Sequence, residues 1–133
     1  MKIAASTSRG GLDDVVIEIF GRAPNFTIVE VDGAEIKDVE IVNNERAMAG
    51  GGAGIAAAQL MIDKNVSCVL TGNIGPNAYN VLTSAGIKIY RAAGMNVREA
   101  VEKAIRGELE NITSSGGGGR MGRGMGGRRM GRM

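Results

Sequence analysis

Two glycine-rich segments of this 133-residue chain have the composition of an anion-binding loop. The first is Ala49-Gly50-Gly51-Gly52-Ala53-Gly54, and the second is Thr71-Gly72-Asn73-Ile74-Gly75-Pro76-Asn77. Glycines let main-chain N–H groups converge on a ligand, and a following helix adds the positive end of its dipole. The first segment is not a Walker A loop, because no Gly-Lys-Ser/Thr follows it. Each segment also has a possible structural role. The first could be a turn that lets the following helix pack closely on the sheet, and the second could form a turn and cap the next helix.

Four arginines near these segments are candidates for the counter-charge of an anion: Arg9, Arg22, Arg46 and Arg91. Arginine suits this task because its planar guanidinium stays charged and matches anions that carry several oxygen or sulfur atoms. For any one of them the alternative is a solvated surface charge.

Composition excludes several kinds of site. The chain has no His and a single Cys, Cys68, which rules out a Ser-His-Asp or Cys-His catalytic pair, an imidazole metal site and an internal disulfide. Cys68 lies in an apolar run, so we expect a small buried side chain. We predict no catalytic residue and no protein-ligated metal ion.

The elements that must position the glycine segments follow from hydrophobic periodicity. Strands are predicted at residues 2–6, 26–31, 36–42, 66–71 and 87–90, with Asp32-Gly33 as a hairpin turn; residues 15–20 are a strand or an extended loop. Helices are predicted at residues 53–64, from Pro76 to Gly86 and from the N-cap Asn96 to Gly107, with Asn65 as a left-handed stop after the first. The order βββαβαβα predicts an α/β fold with a mixed five-stranded sheet and helices on both faces.

The chain divides into a predicted domain at residues 1–112 and a tail at residues 113–133. Residues 116–133 contain only Gly, Arg and Met and carry five positive charges, whereas the remainder has eleven basic and fourteen acidic side chains. Such a tail cannot bury apolar surface, so disorder is predicted. Arg-Gly composition also allows weak RNA binding, and four thioethers allow a soft ion such as Cu(I).

Nothing in the sequence predicts a membrane span or a signal peptide, since no apolar run approaches about 18 residues. We therefore expect a cytoplasmic protein that binds neither membrane nor DNA.

Four motifs resemble the dinitrogenase iron–molybdenum cofactor biosynthesis family over about residues 1–110. They are Phe20-Gly21-Arg22-Ala23-Pro24-Asn25-Phe26, the segment from Ala49 to Gln59, the segment from Thr71 to Ala78, and Gly86-Ile87-Lys88-Ile89-Tyr90. The resemblance implies a ribonuclease H-like fold and binding of an iron–molybdenum cofactor or a related molybdenum–copper sulfide cluster. It also implies that the protein is not an enzyme. Family members often carry His immediately before the Phe-Gly-Arg motif, where this chain has Ile19. Cluster binding would therefore use N–H groups and Arg charge, with Met or Cys sulfur as a further candidate ligand.

The sequence thus predicts a small binding or carrier protein for an anionic metal–sulfur cofactor, with donor and acceptor proteins of that cofactor as partners. The predicted cofactor-binding residues are Arg22, Gly50, Gly51, Gly52, Gly54, Gly72, Asn73, Gly75 and Asn77. The alternative is a non-catalytic adaptor for a protein partner, with the basic tail contacting an acidic surface. A nuclease is rejected because the first strand, Lys-Ile-Ala-Ala-Ser-Thr, supplies no carboxylate to hold metal ions.

Overall fold

The computed structural model describes residues 1–44 and 52–113. Its six strands are β1 (Lys2–Thr7), β2 (Asn25–Asp32), β3 (Glu35–Asn43), β4 (Cys68–Thr71), β5 (Lys88–Arg91) and β6 (Glu110–Asn111). The helices are α1 (Ala53–Asp63), α2 (Pro76–Ser84) and α3 (Val97–Ile105), and a 3₁₀ turn covers Phe20–Arg22.

The strands form one mixed sheet in the order β3-β2-β1-β4-β5-β6. Strands β1, β4 and β5 are parallel, whereas β2, β3 and β6 run antiparallel to their neighbours. The carboxyl ends of the three parallel strands therefore lie at one edge of the sheet, which we call the site edge. In open α/β sheets, ligands collect at this edge.

The predicted mixed sheet and element order are confirmed, but the predicted count of five strands is wrong. The sixth strand pairs antiparallel with β5 through Tyr90 opposite Asn111 and Arg91 opposite Glu110. It is two exposed polar residues long, so it carries no hydrophobic pattern that sequence analysis could detect.

Helices cover both faces of the sheet, as predicted. Helices α1 and α2 pack on one face through side chains such as Ala57, Met61 and Leu82, and α3 packs on the other through Val97 and Val101. Alanines in the central strand β1 are fully buried and let these helices lie close to the sheet.

Local signals in the sequence are also confirmed. Gly33 has a φ of 63° in the turn between β2 and β3, and Asn65 has a φ of 60° after α1. Residues 15–19 form an irregular segment rather than a strand, with isolated bridges from Val15 to Asn96 and from Ile19 to Asn73, and Phe20 begins the 3₁₀ turn.

No helix in the described part of the chain is long and apolar enough to cross a membrane. The ribonuclease H-like assignment and the domain boundary at residue 112 stay predictions. The predicted disorder of the tail concerns residues almost all of which lie outside those described.

Candidate functional site

A cleft of about 270 Å³ opens at the site edge, where the N-termini of α1 and α2 face the 3₁₀ turn. Ligand pockets for drug-sized molecules start at roughly 300 Å³, so this cleft suits a small ion or cluster. Its lining comprises Ile19, Phe20, Gly21, Arg22, Gly52, Ala53, Gly54, Ile55, Gly75, Pro76, Asn77 and Ala78.

The two helices that open on the cleft lack side-chain caps. The N-cap residues are Gly52 for α1 and Gly75 for α2, and no side chain in the described residues accepts a hydrogen bond from either first turn. The first N–H groups of a helix have no acceptor within the helix, so these donors, with the helix dipoles, favour an anion.

Helix α3 is different because main-chain amides of its first turn already donate hydrogen bonds within the protein. The Asn96 side chain accepts from the Arg98 amide at 3.0 Å, and the amide of Val97 donates to the Asp14 carbonyl at 2.9 Å. The predicted cap at Asn96 is thus confirmed, and the helix offers few free donors. The loop before α3 therefore does not form a second anion site.

The glycines of the cleft have two separate roles. A Cβ on Gly52 or Gly75 would meet no atom within 4 Å, so these positions leave open space above the helix ends. A Cβ on Gly21, in contrast, would lie 3.0 Å from the Gly54 Cα, and one on Gly54 would lie 3.4 Å from the Ala78 Cβ. Gly21 and Gly54 therefore allow the 3₁₀ turn to lie close to the start of α1, and Gly54 faces α2.

Gly72 and Asn73 are not part of the cleft lining. Both amides donate to the Glu18 carbonyl, at 3.1 Å and 2.5 Å, and the Phe20 amide donates to the Asn73 carbonyl at 3.1 Å. The Asn73 side-chain amide also donates to the Glu18 carboxylate. The prediction that these two main-chain amides are available to an anion is wrong, because a long-range carbonyl already occupies them.

Five of the nine predicted site residues therefore meet at the cleft, and they are Arg22, Gly52, Gly54, Gly75 and Asn77. Gly72 and Asn73 instead fix the segment that carries the 3₁₀ turn. Gly50 and Gly51 lie outside the described residues.

Of the four candidate arginines, the structure places one in the lining of the cleft. Arg22 lines the cleft. Arg91 donates to the Gly72 carbonyl at 3.1 Å and pairs with Glu110 at 3.3 Å. Arg9 lies in the loop after β1 and is not among the lining residues, and Arg46 is outside the described part of the chain.

The donor set of the cleft does not suit a bare metal ion. Its lining contains no carboxylate, thiol or imidazole, and the described residues hold no group of three or more such side chains that could ligate a metal. Cys68 is buried in the α3 face of the core, and burial raises the pKa of its thiol to about 11. This agrees with the expected apolar role of Cys68.

A neighbouring loop shows how backbone amides of this protein hold an anion. One carboxylate oxygen of Asp14 accepts from the amides of Ser8, Arg9 and Gly10, at 3.2, 2.9 and 2.8 Å, and the other accepts from Val15 at 2.8 Å. Partial burial raises the pKa of Asp14, but these four hydrogen bonds outweigh it and leave the pKa below its usual value. This cradle is filled by the protein's own carboxylate.

Sequence analysis missed the apolar rim of the cleft. Ile19 is 52% exposed and Ile55 is 44% exposed, although both are large aliphatic side chains. The positions of these two residues could have indicated the rim, because Ile19 directly precedes the Phe-Gly-Arg motif and Ile55 directly follows Gly54.

The chain is similar to several known proteins. A search of solved structures finds the apo form of the orange protein from Desulfovibrio gigas, at 35% identity and a TM-score of 0.80, covering 87% of this chain and 96% of that chain. A NifB-like protein from Thermotoga has 32% identity and a TM-score of 0.71, covering 85% and 94% of the two chains. An uncharacterised protein of Methanocaldococcus jannaschii is 36% identical over 93 residues, covering 70% of this chain and 79% of its own length. The profile of the dinitrogenase iron-molybdenum cofactor family matches residues 1–107, and the chain therefore belongs to that family.

Proposed function

We propose that this protein binds and carries a preassembled anionic metal–sulfur cluster in the cleft between α1 and α2. The observation that carries the proposal is the pair of helix N-termini that open on one cleft, neither of them capped by a side chain of the described residues. Each contributes roughly half a positive charge, and Arg22 also lines the cleft.

The residues present fit a cluster that arrives with its sulfur ligands in place. Main-chain N–H groups and a guanidinium donate hydrogen bonds to anions, whereas a bare Zn²⁺ or Fe²⁺ would need thiolate, imidazole or carboxylate ligands. Arg22 and the first-turn amides of α1 and α2 would hold the cluster. When bound, it would supply the metal and sulfide that a receiving protein incorporates.

The family name supports an iron–molybdenum cofactor as the ligand class. A related molybdenum–copper sulfide cluster is the alternative that we propose. The same proposal has three further parts. The protein carries the cofactor without catalysing a reaction, proteins that donate or accept the cofactor are its partners, and it is located in the cytoplasm. The cytoplasmic location rests on composition, because a single Cys cannot form an internal disulfide.

Gel filtration after incubation with tetrathiomolybdate and Cu(I) tests the proposal. We expect a coloured complex with a fixed molybdenum-to-protein ratio in the metal analysis of the protein peak. Arg22→Gln should lower retention of molybdenum. Arg98→Gln is the matched control, because Arg98 lies on the capped helix α3 near Asp13 at 3.9 Å. A colourless protein peak, or equal loss in both variants, would refute the proposal.

A further inference from the structure

The long edge strand β3 has no strand on its outer side in the described residues. It pairs only with β2 and is nine residues long, which corresponds to about 30 Å of exposed backbone edge. An open edge of this length presents N–H and C=O groups to another extended segment.

The charge of this edge favours a basic partner. The hairpin of β2 and β3 carries five carboxylates, and two pairs of them face each other across the strands, Glu30 with Asp38 and Asp32 with Glu35. Lys37 lies 3.1 Å from Glu35, and Lys64 lies 2.8 Å from Glu40. The other three carboxylates belong to Glu30, Asp32 and Asp38. No Lys or Arg nitrogen of the described residues lies within 4.0 Å of them.

The β3 strand of a second copy of the chain is poorly suited to pair with this edge. Antiparallel pairing of two β3 strands about Val39 would set Asp38 of each copy opposite Glu40 of the other. Like charges directly opposite one another destabilise a strand pair. The edge therefore disfavours self-association through β3.

We propose that the chain's own basic tail, residues 116–133, docks along the β3 edge. The tail supplies five arginines, which are opposite in charge to Glu30, Asp32 and Asp38, the hairpin carboxylates without a Lys or Arg partner among the described residues. Its remaining residues are glycine and methionine, so no acidic side chain of the tail repels the hairpin.

The geometry allows this contact within one molecule. The chain leaves β6 beside the start of β5, where the Ile112 amide donates to the Ile89 carbonyl at 2.7 Å, so Thr113 lies at the sheet edge that also carries the turn between β2 and β3. Five strand spacings separate β6 from β3, or about 24 Å. An extended chain spans about 3.3 Å per residue, so the ten residues from Thr113 to Arg123 can cross this distance and leave residues 124–133 to lie along β3.

Amide hydrogen exchange of β3 in the full-length protein tests this docking, and it does not depend on the cofactor. We compare the natural chain with a full-length variant in which the five tail arginines are replaced by glutamine. At about 0.01 M salt the outward-facing β3 amides should exchange about tenfold more slowly in the natural chain, and this difference should vanish at about 1 M salt because the Debye length falls from about 30 Å to about 3 Å. Amides of α3 serve as the internal control and should exchange equally in both proteins.

A charge swap makes the test specific. Lysine substitution of the four facing carboxylates (Glu30→Lys, Asp32→Lys, Glu35→Lys and Asp38→Lys) should abolish the slow exchange of β3, and replacing the five tail arginines by glutamate in that background should restore it. Equal β3 exchange in the natural and tail-neutral proteins would overturn the proposal. Protection that rises with protein concentration would also overturn it, because the occupant would then be the tail of a second copy.

Discussion

Replacing Gly75 by Asp separates the stability of the fold from ligand binding at the cleft. Gly75 is the N-cap of α2 with φ −73° and ψ 166°, an extended conformation that any residue adopts, and a Cβ there meets no atom within 4 Å. Asp is a strong N-cap residue, so its carboxylate should accept hydrogen bonds from the amides of Asn77 or Ala78. We expect the free energy of unfolding to rise by about 0.3–1 kcal/mol from capping and the helix dipole.

The same carboxylate should weaken the binding of an anion. A single negative charge about 6 Å from a dianion costs about 1.4 kcal/mol at the dielectric constant of water and about 5.5 kcal/mol at an effective value near 20. Tetrathiomolybdate should therefore bind the variant at least about tenfold more weakly, which an absorbance titration measures. Gly75→Ala adds volume without charge and is the matched control. The reasoning is refuted if Gly75→Asp binds the anion as the natural protein does, or if it destabilises the fold.

Three further predictions address the packing of the cleft, its rim and the neighbouring loop. Gly21→Ala should lower the free energy of unfolding by about 1–3 kcal/mol in thermal or chemical denaturation, because its methyl group would press on the backbone of Gly54; an unchanged midpoint would contradict the close approach. Ile19→His would place an imidazole at the rim of the cleft and should increase retention of Cu(I) with the thiomolybdate, whereas the equally exposed Ile41→His, away from the cleft, should not. Asp14→Asn should lower stability near neutral pH by about 1 kcal/mol in denaturation curves. Because folding lowers the pKa of Asp14, its contribution is present above the unfolded-state value and disappears as the pH falls through the folded-state value, so the two proteins should converge in acid; a constant difference across pH would contradict this.

Local chemistry made most of the fold predictable from sequence. The Asp32-Gly33 turn, the cap at Asn96 and the left-handed Asn65 each act within a few residues, and all three appear as expected. Strand β6 was not predictable, because two polar residues carry no periodicity.

The site was predictable only where the local sequence controls it. Glycines before α1 and α2 indicated helix ends open to a ligand, and Gly52 and Gly75 occupy those positions. The amides of Gly72 and Asn73 were misassigned because their acceptor, the Glu18 carbonyl, lies far away in sequence. Gly54 likewise packs against Ala78 of another helix, a contact that no local pattern reveals.

The most direct measurement of the central claim is an amide chemical-shift titration of the full-length protein with tetrathiomolybdate. The first turns of two helices are proposed to hold the anion, so the amides of Ala53, Gly54, Asn77 and Ala78 should shift together and saturate at one equivalent. The amides of Val97 and Arg98, already engaged at the start of α3, should not move. Shifts centred on α3 or on residues remote from the cleft, or no saturable shift at all, would contradict the account.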